Sequence, residues 1–145
     1  MSKKITVGNL EICNLPDLGI KEMEVRVDTG AKTSSLHVDN IQKCSIKGKP
    51  GVKFDIHPDF HNVSRIQTCT AYIHDMRKIK SSNGLSEQRY VIKTPIQLGK
   101  SEWEIEITLT DRSDMSYLML LGREGLGKRF LVDPSEVFVA SEKEE

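Results

Sequence analysis

Asp28-Thr29-Gly30-Ala31 is the stretch of this chain best suited to chemistry. It ends an alternating segment, Glu22 to Asp28, in which Met23, Val25 and Val27 share one face and Glu24, Arg26 and Asp28 the other. Asp28 therefore leaves a strand on its polar side. A carboxylate there, beside a hydroxyl that bonds its neighbours and a Gly that lets the backbone approach a ligand, suits an acid held in a fixed position. The same residues also suit an Asx-type turn in which Asp28 caps a tight loop and does nothing else. A polar cluster, Lys32-Thr33-Ser34-Ser35, follows. Far downstream, Tyr117-Leu118-Met119-Leu120-Leu121-Gly122 is a continuous apolar run closed by Gly, which reads as a strand buried on both faces.

Asp-Thr-Gly-Ala together with Leu120-Leu121-Gly122-Arg123 resembles the retropepsin-like aspartic proteases, in which the apolar-apolar-Gly segment packs beside the catalytic loop. A closer resemblance covers nearly the whole chain. Val27 to His37, then Arg77 with Lys80-Ser81-Ser82-Asn83-Gly84 and Arg89, then Thr108 to Met115 and Met119 to Arg123, are similar to a bacterial family described as ATP-dependent zinc proteases. That family is also described as retropepsin-like and is associated with the ATP-grasp ligases that glutamylate a ribosomal protein. The resemblance implies an all-β, closed acid-protease-like barrel with a ψ-type loop near Asp28. It also implies Asp28 as the catalytic acid and Thr29, Gly30 and Ala31 as the active-site loop.

An aspartic protease needs two carboxylates that share one proton, because like charges so close cannot both ionise. With a single Asp-Thr-Gly, the expected solution is a twofold homodimer, with Thr29 bonding across the axis and Gly30 giving close backbone approach. Neither ATP nor zinc is expected from the residues themselves. No GxxxxGK motif ending in Ser or Thr occurs, and the four His offer only His57 and His61, interrupted by Pro58. The expected enzyme thus uses no metal and no other cofactor, although an ATP-grasp ligase is an expected associate.

Lys32, Arg77, Lys78, Lys80, Arg89, Arg112 and Arg123 fall in or near these motif segments. Cations lining a cleft favour an acidic substrate, and the planar Arg fork suits a carboxylate. Lys32, Ser34, Arg77, Arg89 and Arg112 are accordingly the expected substrate-binding residues, for a peptide or protein tail rich in glutamate. Two other readings stay open: these cations are solvated strand faces, or the chain is a noncatalytic β-barrel module that binds an acidic protein or peptide. Asn83-Gly84 predicts a tight hairpin turn, which could close over a substrate as a flap.

The elements that position these residues are strands. Period-two segments separated by turn residues run from Ile5 to Ile12, from Thr33 to Val38 and from Ile41 to Ile46. They continue from Val52 to Ile56, Ile66 to Met76, Gln88 to Leu98 and Trp103 to Leu109, with Trp103 expected in the core. One short helix is expected within Arg123 to Arg129, weakened by Gly125 and Gly127. Residues 1–140 form the expected single domain, and 141–145 a charged tail.

The chain has 145 residues, with 21 Lys and Arg against 21 Asp and Glu. Zero formal charge removes the bulk electrostatic signature of a nucleic-acid binder, and no apolar run is long enough to span a bilayer. The first residues develop no apolar signal core, and three cysteines without CxxC spacing suit reduced thiols, so a cytoplasmic location is expected.

Overall fold

A computed structural model describes residues 4–57, 66–80, 84–111 and 117–141. In chain order the strands are β1 (Ile5–Val7), β2 (Leu10–Leu15), β3 (Ile20–Asp28), β4 (Ser34–His37), β5 (Asp39–Ile46) and β6 (Lys49–Ile56). They continue with β7 (Gln67–Tyr72), β8 (Asp75–Lys80), β9 (Ser86–Leu98), β10 (Ser101–Thr110), β11 (Met119–Gly122) and β12 (Phe130–Val132). The helix α1 spans only Arg123–Leu126 and stops at Gly127, whose φ of 66° is open to glycine. Among the described residues no helix is long and apolar enough to cross a membrane.

Six strands close on themselves in the order β10, β4, β11, β3, β2, β9 and back to β10. Closure removes the free edges an open sheet would leave. β8 continues the sheet outside the ring by pairing with β9, while β5, β6 and β7 form a separate antiparallel sheet. Apolar side chains from both sheets meet in one core that includes Val25, Leu36, Phe54, Ile92, Ile107 and Leu121. The alternation read along Met23, Val25 and Val27 holds, for all three are buried and Glu24 and Arg26 are exposed.

The expected ψ-type arrangement is present. β3 and β4 are consecutive in the chain yet do not pair, because β11 lies between them, parallel to β3 and antiparallel to β4. Its Met119, Leu121 and Gly122 are buried, as expected of a strand covered on both faces, while Leu120 is half-buried at the cleft described below.

Two expected strands are each broken in two. The segment Ile5 to Ile12 divides at Gly8-Asn9, where the Gly8 amide turns to donate to the Glu11 carboxylate at 2.7 Å. The segment Ile66 to Met76 divides at Ile73-His74: the Ile73 amide bonds Pro50 O on β6, and the His74 amide bonds Val91 O on β9. The chain changes sheets there, and alternation carries no mark of a change of partner. Trp103 is partly rather than fully buried. Its ring lies 4.8 Å from Phe130 and its Nε1 donates to Gly125 O at 2.7 Å, so it ties β10 to α1.

Candidate active site

The loop from Asp28 to Thr33 must cross the end of β11, and β11 and α1 hold it. The Gly122 amide donates to Ser34 Oγ at 3.0 Å, the Arg123 amide to Ala31 O at 2.9 Å and the Glu124 amide to Lys32 O at 3.1 Å. Arg123 Nη1 adds bonds to Thr29 O at 3.2 Å and Gly30 O at 3.4 Å. Gly122 is required by the closeness of this crossing. A Cβ there would sit 2.7 Å from Thr33 C, 2.8 Å from Thr33 O and 3.0 Å from Ala31 O, all backbone atoms.

Within the loop the half-buried Asp28 accepts the Gly30 amide on Oδ1 at 3.0 Å, while the Ala31 amide bonds Asp28 O at 3.2 Å. The Asx-type turn read from the sequence therefore exists, and it aims the carboxylate rather than burying it. Asp28 lines a cleft of about 1120 Å³ bounded by its own loop, by β8, and by Ser35, Arg89, Leu120 and Glu124. Thr29 and Gly30 are exposed beside it.

The cleft wall carries five basic side chains, Lys32, Arg77, Lys78, Lys80 and Arg89, against the acids Asp28 and Glu124. They are not equivalent. Exposed Lys32 lies 3.6 Å from Glu124. Arg77 is engaged by Asp75 through Nε and by Glu106 through Nη1, each at 2.8 Å. The bond to Glu106 and then that to Asp75 push the Arg77 pKa up, and Arg77 in turn holds both carboxyls below their usual range. Arg89, directly across from Arg77 in the β8–β9 register, is 5% exposed. Its Nη1 donates to Ser35 Oγ at 3.3 Å and its Nε lies 3.4 Å from Glu87, without a hydrogen-bond partner among the described residues.

Of the residues expected from the sequence, Asp28, Gly30, Ala31, Lys32, Arg77 and Arg89 meet at this one cleft. Ser34 does not: it is 1% exposed and its hydroxyl holds Gly122. Arg112 and the Ser81-Ser82-Asn83 hairpin tip lie outside the described residues. Sequence reasoning passed over Ser35, whose Oγ lies 3.0 Å from Thr108 Oγ1 beneath Arg89, and over Met76 and Ile79 of β8. The adjacency of β8 to the loop was the missing information.

Of the two His weighed as metal ligands, His57 is hydrogen-bonded to Asp39, and His61 lies outside the described residues. A different set, His37, Asp39 and Asp111, brings its ligand atoms within 4.8 Å of one another at the far end of β4 from the Asp28 loop.

Comparison with known proteins agrees with this architecture. The chain is 49% identical over 140 residues to a protein of Shewanella pealeana named "Probable alpha-L-glutamate ligase", covering 97% of this chain and 31% of that protein. A protein of the same name from Desulfotalea psychrophila is 44% identical over 93% of this chain and 29% of its own length. The chain thus spans about a third of the curated relatives it matches. A crystal structure of a Legionella pneumophila protein of unknown function superposes with a TM-score of 0.78 at 28% identity, over 92% of this chain and 96% of that one. Residues 6–143 match the model of the RimB-like family, described as retropepsin-like aspartic endopeptidase RimB, and the chain belongs to that family.

Proposed function

We propose that the Asp28 cleft binds an acidic, glutamate-rich peptide or protein tail, and that two copies of the chain paired about a twofold axis hydrolyse it as an aspartic peptidase. The observation that carries this reading is the Asp28 carboxylate, fixed by a clamped loop and facing a cleft whose wall holds a buried guanidinium. In the pair the two Asp28 carboxyls share one proton. The ionised one takes a proton from water as that water attacks the peptide carbonyl carbon, and the protonated one donates to the carbonyl oxygen. Proton transfer to the leaving nitrogen then breaks the C–N bond. Thr29 backs the two loops at the axis, and the bare Gly30 backbone leaves room for the substrate main chain.

Family membership supports the hydrolytic step. The name of the longer relatives, "Probable alpha-L-glutamate ligase", of whose length this chain matches about a third, supports a glutamate-bearing substrate and a ligase as partner.

A second reading, a noncatalytic module that binds an acidic peptide, is favoured by one observation: among the described residues no second carboxylate is paired with Asp28, and each chain has one Asp-Thr-Gly. The readings separate in one experiment, in which binding and cleavage of a glutamate-rich peptide are followed as protein concentration rises through the dimerisation range. The peptidase reading expects cleavage to appear with dimer and to fall by about 10²–10⁴-fold in Asp28→Asn, with peptide binding retained. Binding without cleavage at every concentration selects the module. Absence of binding overturns both.

A further inference from the structure

We propose that His37, Asp39 and Asp111 form a binding site for a divalent transition-metal cation of the zinc class, apart from the Asp28 cleft. The three residues come from three strands that converge at one point. His37 ends β4, Asp39 opens β5, and Asp111 follows Thr110, which is the register partner of His37. His37 and Asp39 are two residues apart in extended chain, a spacing that returns both side chains to one face. Their backbone is fixed: the His37 amide donates to Leu118 O at 2.8 Å and the Val38 amide to Thr110 O at 2.9 Å. The ligand atoms of the three side chains all lie within 4.8 Å of one another. Tetrahedral ligands at zinc bond lengths of about 2.0–2.2 Å stand about 3.4 Å apart, so small side-chain rotations suffice to close the site.

The chemistry around the cluster favours a cation. Two carboxylates converge, and among the described residues neither Asp39 nor Asp111 is paired with a Lys or Arg. Asp55, directly across from Asp39 in the β5–β6 register, adds a third carboxylate nearby, and its own oxygens take Asn40 Nδ2 at 2.8 Å and Thr68 Oγ1 at 2.7 Å. Asp39 is bonded to the ring of His57, an outer partner of the kind that orients a ligating carboxylate. A mixed imidazole and carboxylate set selects zinc-like ions over calcium or magnesium, which take oxygen ligands alone. A cation here joins β4, β5 and β10, which tie the barrel to the separate three-stranded sheet; the site positions structure and takes no part in proton transfer at Asp28.

The test is direct binding to the intact chain after dialysis against chelator. Cobalt(II) is titrated with its visible absorption as readout, and zinc by competition with a chromophoric chelator. The expected result is one cation per chain, a tetrahedral cobalt spectrum, and a thermal midpoint raised by zinc. Asp111→Asn, at an exposed position that keeps the fold, should weaken affinity at least tenfold, as should His37→Ala. Asp28→Asn should bind zinc like the parent chain. Failure to bind zinc at micromolar concentration, unchanged affinity in both ligand variants, or loss of binding in Asp28→Asn would each overturn the site.

Discussion

Glu11 and Asp28 are carboxylates on neighbouring strands of one barrel, and the fold treats them in opposite ways. Glu11 on β2 is wholly buried and accepts five donors: the amides of Gly8 (2.7 Å), Val139 (3.0 Å), Ala140 (3.2 Å) and Ser141 (2.9 Å), and the Ser141 hydroxyl. Asp28, at the end of β3, is half-buried and among the described residues accepts one amide, from Gly30 at 3.0 Å. A carboxylate whose lone pairs are filled by fixed donors is a structural pin; it latches the segment after β12 across β2. A carboxylate with one donor and an open cleft in front of it keeps lone pairs free to meet a ligand, which the proposed acid–base role requires. Number of donors, not residue type, divides the two roles.

The comparison is broken most severely at Glu11. Glu11→Gln replaces one carboxylate oxygen by a donor that faces other donors, and should cost about 2–3 kcal/mol, lowering the thermal midpoint by roughly 5–10 °C. Asp28→Asn should leave the midpoint nearly unchanged, within about 0.5 kcal/mol. Burial alone would raise the Glu11 pKa, but the bonds from the Ser141 hydroxyl and from the Gly8, Ser141 and Ala140 amides outweigh it and hold the carboxyl below its usual range. A depressed folded-state pKa gives stability that is complete above the unfolded value, about 4.3 for Glu, and is lost as pH falls through the folded one. The difference in unfolding free energy between parent and Glu11→Gln should therefore shrink below about pH 4. A difference that persisted unchanged to pH 2 would mean the carboxylate is not the pin.

Gly122→Ala attacks the clamp that keeps Asp28 aimed. Its Cβ meets the Thr33 and Ala31 backbone at 2.7–3.0 Å, and backbone cannot yield as a side-chain tip would. The expected cost is about 1–3 kcal/mol, accompanied by faster amide exchange at Arg123 and Glu124, whose amides bond the loop carbonyls. Unchanged exchange at those two amides would show that the loop is held without this crossing.

The strands were legible in the sequence because they alternate, and the Asp28 loop because a carboxylate, a hydroxyl and a Gly follow a strand directly; closure into a barrel was implied by resemblance. The ψ-type crossing came from resemblance, since no local pattern announces that β11 slots between β3 and β4. Three things were not legible. The break at Ile73-His74 is a change of pairing partner, which leaves alternation intact. Ser34 and Ser35 look alike as letters, yet strand alternation sends one hydroxyl to Gly122 and the other toward Arg89. The Glu11 latch joins residues about 130 positions apart, where no spacing rule reaches.

The same contrast between engaged and available groups separates the two arginines that face each other across β8 and β9. Arg77 spends its guanidinium on Asp75 and Glu106, whereas Arg89, which lines the cleft, bonds one hydroxyl, lies beside one carboxylate and has a buried Nε without a hydrogen-bond partner among the described residues. Arg89→Met, which preserves the apolar stem, should weaken binding of a glutamate-rich peptide about tenfold, as loss of a charge-assisted contact does, and should leave a neutral peptide of equal length less affected. Arg77→Gln should cost less than about threefold at 0.15 M salt, where the screening length of about 8 Å suppresses the change in net charge. Equal losses in the two variants would mean that acidic peptides respond to the overall field of the basic wall, and that burial of Arg89 serves packing beneath Ser35 and Thr108 rather than recognition.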